Sequence, residues 1–277
     1  MDYIKFRKMH GLGNDFVIID NRINKFPEEP NLIKLLSDRK TGIGFDQLVL
    51  IEESFDVADI KMKIFNSDGS EAETCGNASR CVGKIFLKEK KLNTALIETA
   101  GGILDVEEEK NGSVKVDMGI VRLDWRDIPL SVAKDTSNIG LSFKYLKGGV
   151  TINIGNPHLI FFVDIDLKKK LFEQECLEIS NLNLFPKGIN ISIAKIISND
   201  YLELLVFERG CGFTRACGSG ACATLVAANI LGLTDKKAVI SMPGGKLDIE
   251  FLNDQHVTMA GPVKTIYEGK FSLIDYI

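Results

Sequence analysis

The chain has 277 residues, 45% of them hydrophobic and 26% charged, with a net charge of −4. That composition supports a sizeable core in one large or two ordinary domains and excludes a disordered chain. The acidic balance gives no basic face for nucleic acid, and the length excludes a small disulfide scaffold despite six cysteines.

The first sixteen residues carry Lys and Arg without the apolar run of a secretion signal. The expectation is a cytoplasmic protein whose thiols stay reduced. A helix is predicted over 31–39, with Pro30 near its start and Leu32, Leu35 and Leu36 on one face. Residues 57–65 alternate, with Ile60, Met62 and Ile64 on one side and Asp59, Lys61 and Lys63 on the other, which reads as a half-buried strand. A loop and Cys75-Gly76 lead into a helix over 76–90. Short strands with glycine turns follow at 104–108 and 114–118. A helix over 167–179 carries Leu167, Leu171, Phe172 and Ile179. A strand over 201–207 then runs through a loop to Cys217 and a helix over 218–231. Residues 216–233 carry no charge and are long enough to suggest a membrane span. Small residues open that stretch and Asn229 interrupts it, so it reads as a buried loop and helix, with no membrane association.

The chain is written twice. A shift of 142 carries Gly13-Asn14 to Gly155-Asn156, Phe65 to Phe207, Cys75-Gly76 to Cys217-Gly218, and Gly119-x-Val121 to Gly261-x-Val263. A shift of 143 carries Gly101-Gly102-x-Leu104-Asp105 to Gly244-Gly245-x-Leu247-Asp248. Landmarks in one order at nearly one spacing imply a duplicated unit. The expected domains are 1–120 plus 264–277, carrying Cys75, and 121–263, carrying Cys217. The tail would return to the first domain. Strands dominate without regular helix alternation, so the fold class is α+β: two similar pseudo-symmetric domains of mainly antiparallel sheet wrapped around helices. With no low-complexity linker between them, the two halves are expected to face each other closely.

A cysteine at a helix start has a chemical consequence. The helix dipole and the first N–H groups favour negative charge there, so each thiol should ionise more easily. The N–H groups of Gly76-Asn77 and Gly218-Ser219 would suit a carboxylate. Two such halves could present thiols to opposite faces of one carbon, one removing a proton and the other returning one. Cys81, Cys176 and Cys222 read as small buried hydrophobes, and Cys211 has no assigned role. On the residues alone, Cys75 and Cys217 read equally as buried or as catalytic. The Cys75–Cys81 and Cys211–Cys217 spacings are not those of zinc pairs, so no metal is expected. Gly11-x-Gly13 does not complete a dinucleotide fingerprint, and neither a P-loop nor a Gly-x-Ser-x-Gly motif occurs. His158, before an apolar strand, is of a kind that is usually structural.

Several long segments carry a resemblance. They are Lys8-Met9-His10-Gly11-Leu12-Gly13-Asn14-Asp15-Phe16, Gly42-Ile43-Gly44-Phe45-Asp46-Gln47-Leu48, Phe65-Asn66-Ser67-Asp68-Gly69-Ser70-Glu71, Cys75-Gly76-Asn77, Gly155-Asn156-Pro157-His158, Glu208-Arg209-Gly210 and 216–222. From Met9 to about Gly269 the chain resembles the diaminopimelate epimerases. The resemblance implies an isomerase without cofactor whose small-molecule partner is diaminopimelate. It places the active site in the cleft between the two halves and assigns the acid and base to Cys75 and Cys217, with His158 and Glu208 in support. It assigns substrate binding to Asn14, Gln47, Asn66, Gly76, Asn77, Asn156, Asn190, Glu208, Arg209, Gly218 and Ser219. It also suggests a homodimer through a surface that includes Tyr267. Two departures stand out: Ala78-Ser79 where the family usually has Gly after Cys-Gly-Asn, and Phe213 where it commonly has Glu. The rival readings are a proline-racemase-like two-thiol enzyme and a thiol-based metal or redox module.

Overall fold

In the computed structural model, residues 3–23 and 25–276 are described. The chain forms two compact units, Met1–Val116 with Gly261–Ile277, and Asp117–Ala260.

The first unit contains β1 (Tyr3–Gly11), β2 (Asn14–Asp20), α1 (Pro30–Ser37), β3 (Gln47–Glu52), β4 (Ile60–Asn66), β5 (Glu71–Ala72), α2 (Gly76–Lys90), β6 (Thr94–Thr99) and β7 (Gly102–Glu108). β8 (Val114–Ile120) carries the chain across the unit boundary. The second unit continues with β9 (Leu141–Ser142), β10 (Lys147–Gly148), β11 (Val150–Asn153), β12 (Pro157–Phe162), α3 (Lys169–Ser180), β13 (Asn190–Ser198), β14 (Tyr201–Glu208), β15 (Gly212–Phe213), α4 (Gly218–Ile230), β16 (Lys237–Met242), β17 (Gly245–Phe251) and β18 (His256–Gly261). β19 (Lys264–Ser272) returns to the first unit and pairs antiparallel along β1.

The duplication extends to strand order. In the first unit the neighbours run β19, β1, β2, β3, β4, β6, β7, β8. In the second they run β11, β12, β13, β14, β16, β17, β18. The parallel contacts also correspond: β2–β3 matches β12–β13, and β4–β6 matches β14–β16. The other pairings described in these two series are antiparallel, so the sheet is mixed but mainly antiparallel.

Each unit packs one helix into its sheet. α2 lies against β1, β2, β6 and β7, and α4 against β11, β12, β13, β16 and β17. This explains the uncharged stretch: α4 is buried on nearly every side, so it needs no polar stripe. Among the described residues no helix is long and apolar enough to cross a membrane.

Two helix faces differ from the sequence expectation. In α1 the buried residues are Leu32, Ile33 and Leu36, while Leu35 is exposed. Ile33 and Leu35 flank the same stripe, and the packing takes Ile33. In α3 the buried side is Phe172, Glu175, Cys176 and Ile179, with Leu171 exposed and Leu167 preceding the helix. Glu175 is inward because its carboxylate accepts the backbone N–H groups of Tyr145 and Leu146, at 2.9–3.2 Å. A buried carboxylate is tolerated only with such partners. Cys81, Cys176 and Cys222 are fully buried, as expected for small hydrophobes, and Cys211 is exposed.

Candidate active site

Cys75 and Cys217 are the N-cap residues of α2 and α4. The first helical bonds run from Ser79 N–H to the Cys75 carbonyl and from Ala221 N–H to the Cys217 carbonyl. The amides of Gly76, Asn77 and Ala78, and of Gly218, Ser219 and Gly220, therefore precede the first helical donor. Such amides suit an anion.

In the first unit, Cys75 is half-buried and its Sγ lies 3.8 Å from Asn14 Oδ1. The Asn77 amide donates to the same oxygen at 3.2 Å. Asn14 follows Gly13, whose φ of 87° is the left-handed conformation that turns the chain from β1 into β2; Gly155, with φ of 82°, does the same before Asn156. Gln47 and Asn66 sit opposite each other on β3 and β4, and Gln47 Nε2 donates to Asn66 Oδ1 at 3.0 Å. Asn66 donates onward to the Ser70 hydroxyl.

In the second unit, Cys217 is only 6% exposed. Its Sγ lies 3.6 Å from the Ser219 hydroxyl, and its N–H points at Met242 Sδ. His158 Nε2 contacts both Asn156 Oδ1, at 2.9 Å, and Ser219 Oγ, at 3.0 Å. The Asn156 carbonyl can only accept, so Nε2 carries the hydrogen. Burial holds the ring neutral, with its pKa lowered to about 3. His158 thus anchors Ser219 beside the thiol and stays uncharged near neutral pH.

The Cys217 thiol runs against the sequence expectation. Its pKa is raised well above the usual thiol value, first by burial and then by the Glu208 carboxylate. The Gly220 N–H and the Ser219 hydroxyl favour the thiolate, but they are outweighed. A helix start lowers a thiol pKa, whereas burial in apolar surroundings raises it, and at Cys217 burial wins. Here the thiol keeps its proton.

Glu208 accepts a hydrogen bond from the Thr214 hydroxyl at 2.5 Å. Asn190 is buried, accepts the Arg209 backbone N–H and donates to the Pro157 carbonyl. Arg209 is exposed and donates to the Lys187 carbonyl. A Cβ on Gly188 would lie 2.5 Å from Arg209 Cδ, so glycine there makes room for the arginine. Phe213 packs edge-on against Phe207, with ring centroids 5.2 Å apart, which is the packing an apolar residue gains at that position.

Asn14, Cys75 and Asn77 thus form one cluster, and Cys217, Ser219, His158, Asn156 and Glu208 another. The sequence reading missed Asp46, Arg80 and Thr214. Asp46 stands beside Gln47 in a segment that carries the resemblance, and Arg80 lies five residues after Cys75; these positions were the available signals. Among the described residues no three His, Cys, Asp or Glu side chains are grouped to hold a metal ion.

The two-unit α+β fold is shared with solved structures. A hydroxyproline epimerase from Agrobacterium vitis superposes with a TM-score of 0.68, covering 98% of this chain and 93% of that one at 13% identity. A PhzF-family phenazine biosynthesis protein from Bacillus anthracis gives 0.68 at 17% identity, covering 98% and 100%. At such identities these structures establish the fold alone. The sequence goes further. The diaminopimelate epimerase family model matches residues 6–123 and 150–266, one stretch for each copy of the repeat. The diaminopimelate epimerase of Erythrobacter litoralis is 44% identical over 274 residues, 99% of each chain. That of Rhodospirillum centenum is 43% identical, covering 97% of this chain and 92% of its own. The chain belongs to the diaminopimelate epimerase family.

Proposed function

We propose that this protein interconverts LL- and meso-diaminopimelate with Cys75 and Cys217 as the paired acid and base. The observation that carries the reading is the duplication itself: equivalent helices, α2 and α4, each begin on a cysteine. Inversion needs one group on each face of the α-carbon, and a repeat supplies two of a kind. One thiolate takes the α-proton while the opposite thiol delivers its own, and the roles exchange in reverse. The amides after each cysteine would hold the reacting carboxylate and stabilise charge developing toward the carbanion.

The far end of the substrate is a second amino-acid group. Arg209 offers planar paired donors for its carboxylate. Asn14, Gln47, Asn66, Asn156, Asn190 and Glu208 offer donors and acceptors for a zwitterion. A proline-type substrate has no such end, so this polar set argues for diaminopimelate. The product would serve lysine and cell-wall synthesis in the cytoplasm. We further place Tyr267, exposed on β19, at a homodimer surface.

The test is purified protein incubated separately with LL-diaminopimelate and with L-proline, followed by chiral chromatography. Conversion of LL to the meso isomer, without racemised proline, is expected. Racemised proline with unchanged diaminopimelate would replace this reading with its rival.

A further inference from the structure

Arg80 is a fully buried cation in α2, close behind Cys75. Its Nη2 donates to Asn77 Oδ1 at 2.8 Å. With its carbonyl so engaged, Asn77 turns Nδ2 toward Asn14 and donates to Oδ1 at 3.2 Å. Asn14 in turn points its own Nδ2 at Asp46 Oδ2, at 3.1 Å. Asp46 also accepts the Asp15 N–H, and it is held by Arg39 at 2.8 Å. Arg39 and Lys8 both pair with Asp15, so the acidic end of the chain is itself anchored. Gly11 belongs to the same arrangement, since a Cβ there would lie 3.1 Å from Arg80 Nη2.

The order of these contacts has a physical meaning. An arginine only donates and a carboxylate only accepts. An amide between neutral partners can turn over at little cost. Two amides in series between a cation and an anion have one orientation that satisfies every link. That orientation leaves Asn14 Oδ1 facing Cys75 Sγ. The second half of the repeat has no counterpart: a shift of 142 carries Arg80 to Cys222, and the strand registers that match Gln47 with Asn190 place Ile189 where the first half has Asp46. There the thiol faces a hydroxyl, Ser219, which can donate or accept.

We infer that Arg80 and Asp46 are positioning residues that fix two amides so that a carbonyl acceptor, not an N–H donor, meets the Cys75 thiol. This builds on the proposed role of Cys75, but the thiol can be read without any diaminopimelate. Asp46 lies at the surface, so its replacement should leave the fold intact. Asp46→Ala removes both the charge and the acceptor; Asp46→Asn removes the same charge but keeps one acceptor oxygen, which the Asp15 N–H holds in the Oδ2 place facing Asn14, and gives up the Oδ1 contact to Arg39.

The experiment is iodoacetamide alkylation across pH, with Cys75 and Cys217 followed separately by peptide mass mapping. Loss of the acceptor destabilises the protonated thiol. Cys75 in Asp46→Ala is therefore expected to react at least threefold faster at pH 7 than in the parent protein, with its profile moved to lower pH. Asp46→Asn should stay within twofold of the parent, and Cys217 should be unchanged in both. Equal acceleration in the two variants would make charge, not amide orientation, the cause. An unmoved Cys75 profile, or equal movement of Cys217, would overturn the proposal. Loss of epimerase activity on diaminopimelate in the parent protein would count against the proposed function and leave this test standing.

Discussion

The two cysteines occupy equivalent N-caps on equivalent helices, yet their surroundings differ. Cys75 is half-buried and meets a carbonyl oxygen locked in place by neighbouring side chains. Cys217 is buried and meets a hydroxyl anchored by a neutral histidine, with a carboxylate close by. The backbone frame is shared; the side chains that set each thiol's proton affinity are not. Position 14 or 156 is Asn in both halves, but Asn77 answers to Ser219 and Phe16 to His158. A duplicated fold can thus supply two groups of one kind while tuning each alone. That suits an enzyme whose two directions need unlike starting protonation.

The comparison can be broken most severely at the thiols. Cys75→Ala and Cys217→Ala should each lower kcat for epimerisation by at least about 10³-fold, within the range for losing a positioned acid or base. A loss confined to one of them would mean the halves do not share the work. Next comes His158→Phe, which installs in the second half the residue that the first half carries at Phe16. It should release Ser219 and lower kcat about tenfold, the worth of one well-placed hydrogen bond. Cys75 alkylation should not change. Gly220→Ala asks the converse question, because its counterpart in the first half is Ala78. A Cβ at 220 would lie 3.2 Å from Val206 Cγ2 and 3.4 Å from Cys217 Sγ. Activity should fall several-fold, about 1 kcal/mol of barrier, while the added helix propensity holds the melting temperature near its parent value.

The smallest effect concerns alkaline pH. Burial pushes the Cys81 and Cys176 thiols up to about 12, and Cys217 is also raised. An unfolded cysteine loses its proton near pH 8.5. Between these values the folded chain binds more protons than the unfolded one, so stability falls as pH rises. The melting temperature should decline from about pH 9 to pH 11, and Cys176→Ala should flatten part of that decline. A flat parent curve would show that these thiols ionise in the folded state.

Much of the architecture was readable in the sequence because the repeat constrains it twice. The helix over 76–90 and the inward set Ile60, Met62 and Ile64 appear in the structure, and the strand expected over 57–65 runs from Ile60 to Asn66. The helix faces were read less well. Leu35 and Ile33 are equally apolar, and only the neighbouring strands decide which one turns inward. The raised affinity of Cys217 for its proton was hidden for a related reason. A helix N-terminus is visible in sequence, whereas full burial beside Glu208 is a property of the packed unit. Arg80 was missed because a charged residue is ordinarily placed at the surface. Its burial becomes intelligible only once Asn77, Asn14 and Asp46 stand in line.

The central claim is that two thiols act from opposite faces. It is tested most directly by starting from LL-diaminopimelate in D₂O and sampling early. The account predicts meso product carrying one deuterium at the inverted α-carbon, while recovered LL substrate stays largely unlabelled. Protium retained in the product, or deuterium entering the recovered substrate as fast as the product, would show one group serving both faces and would contradict it.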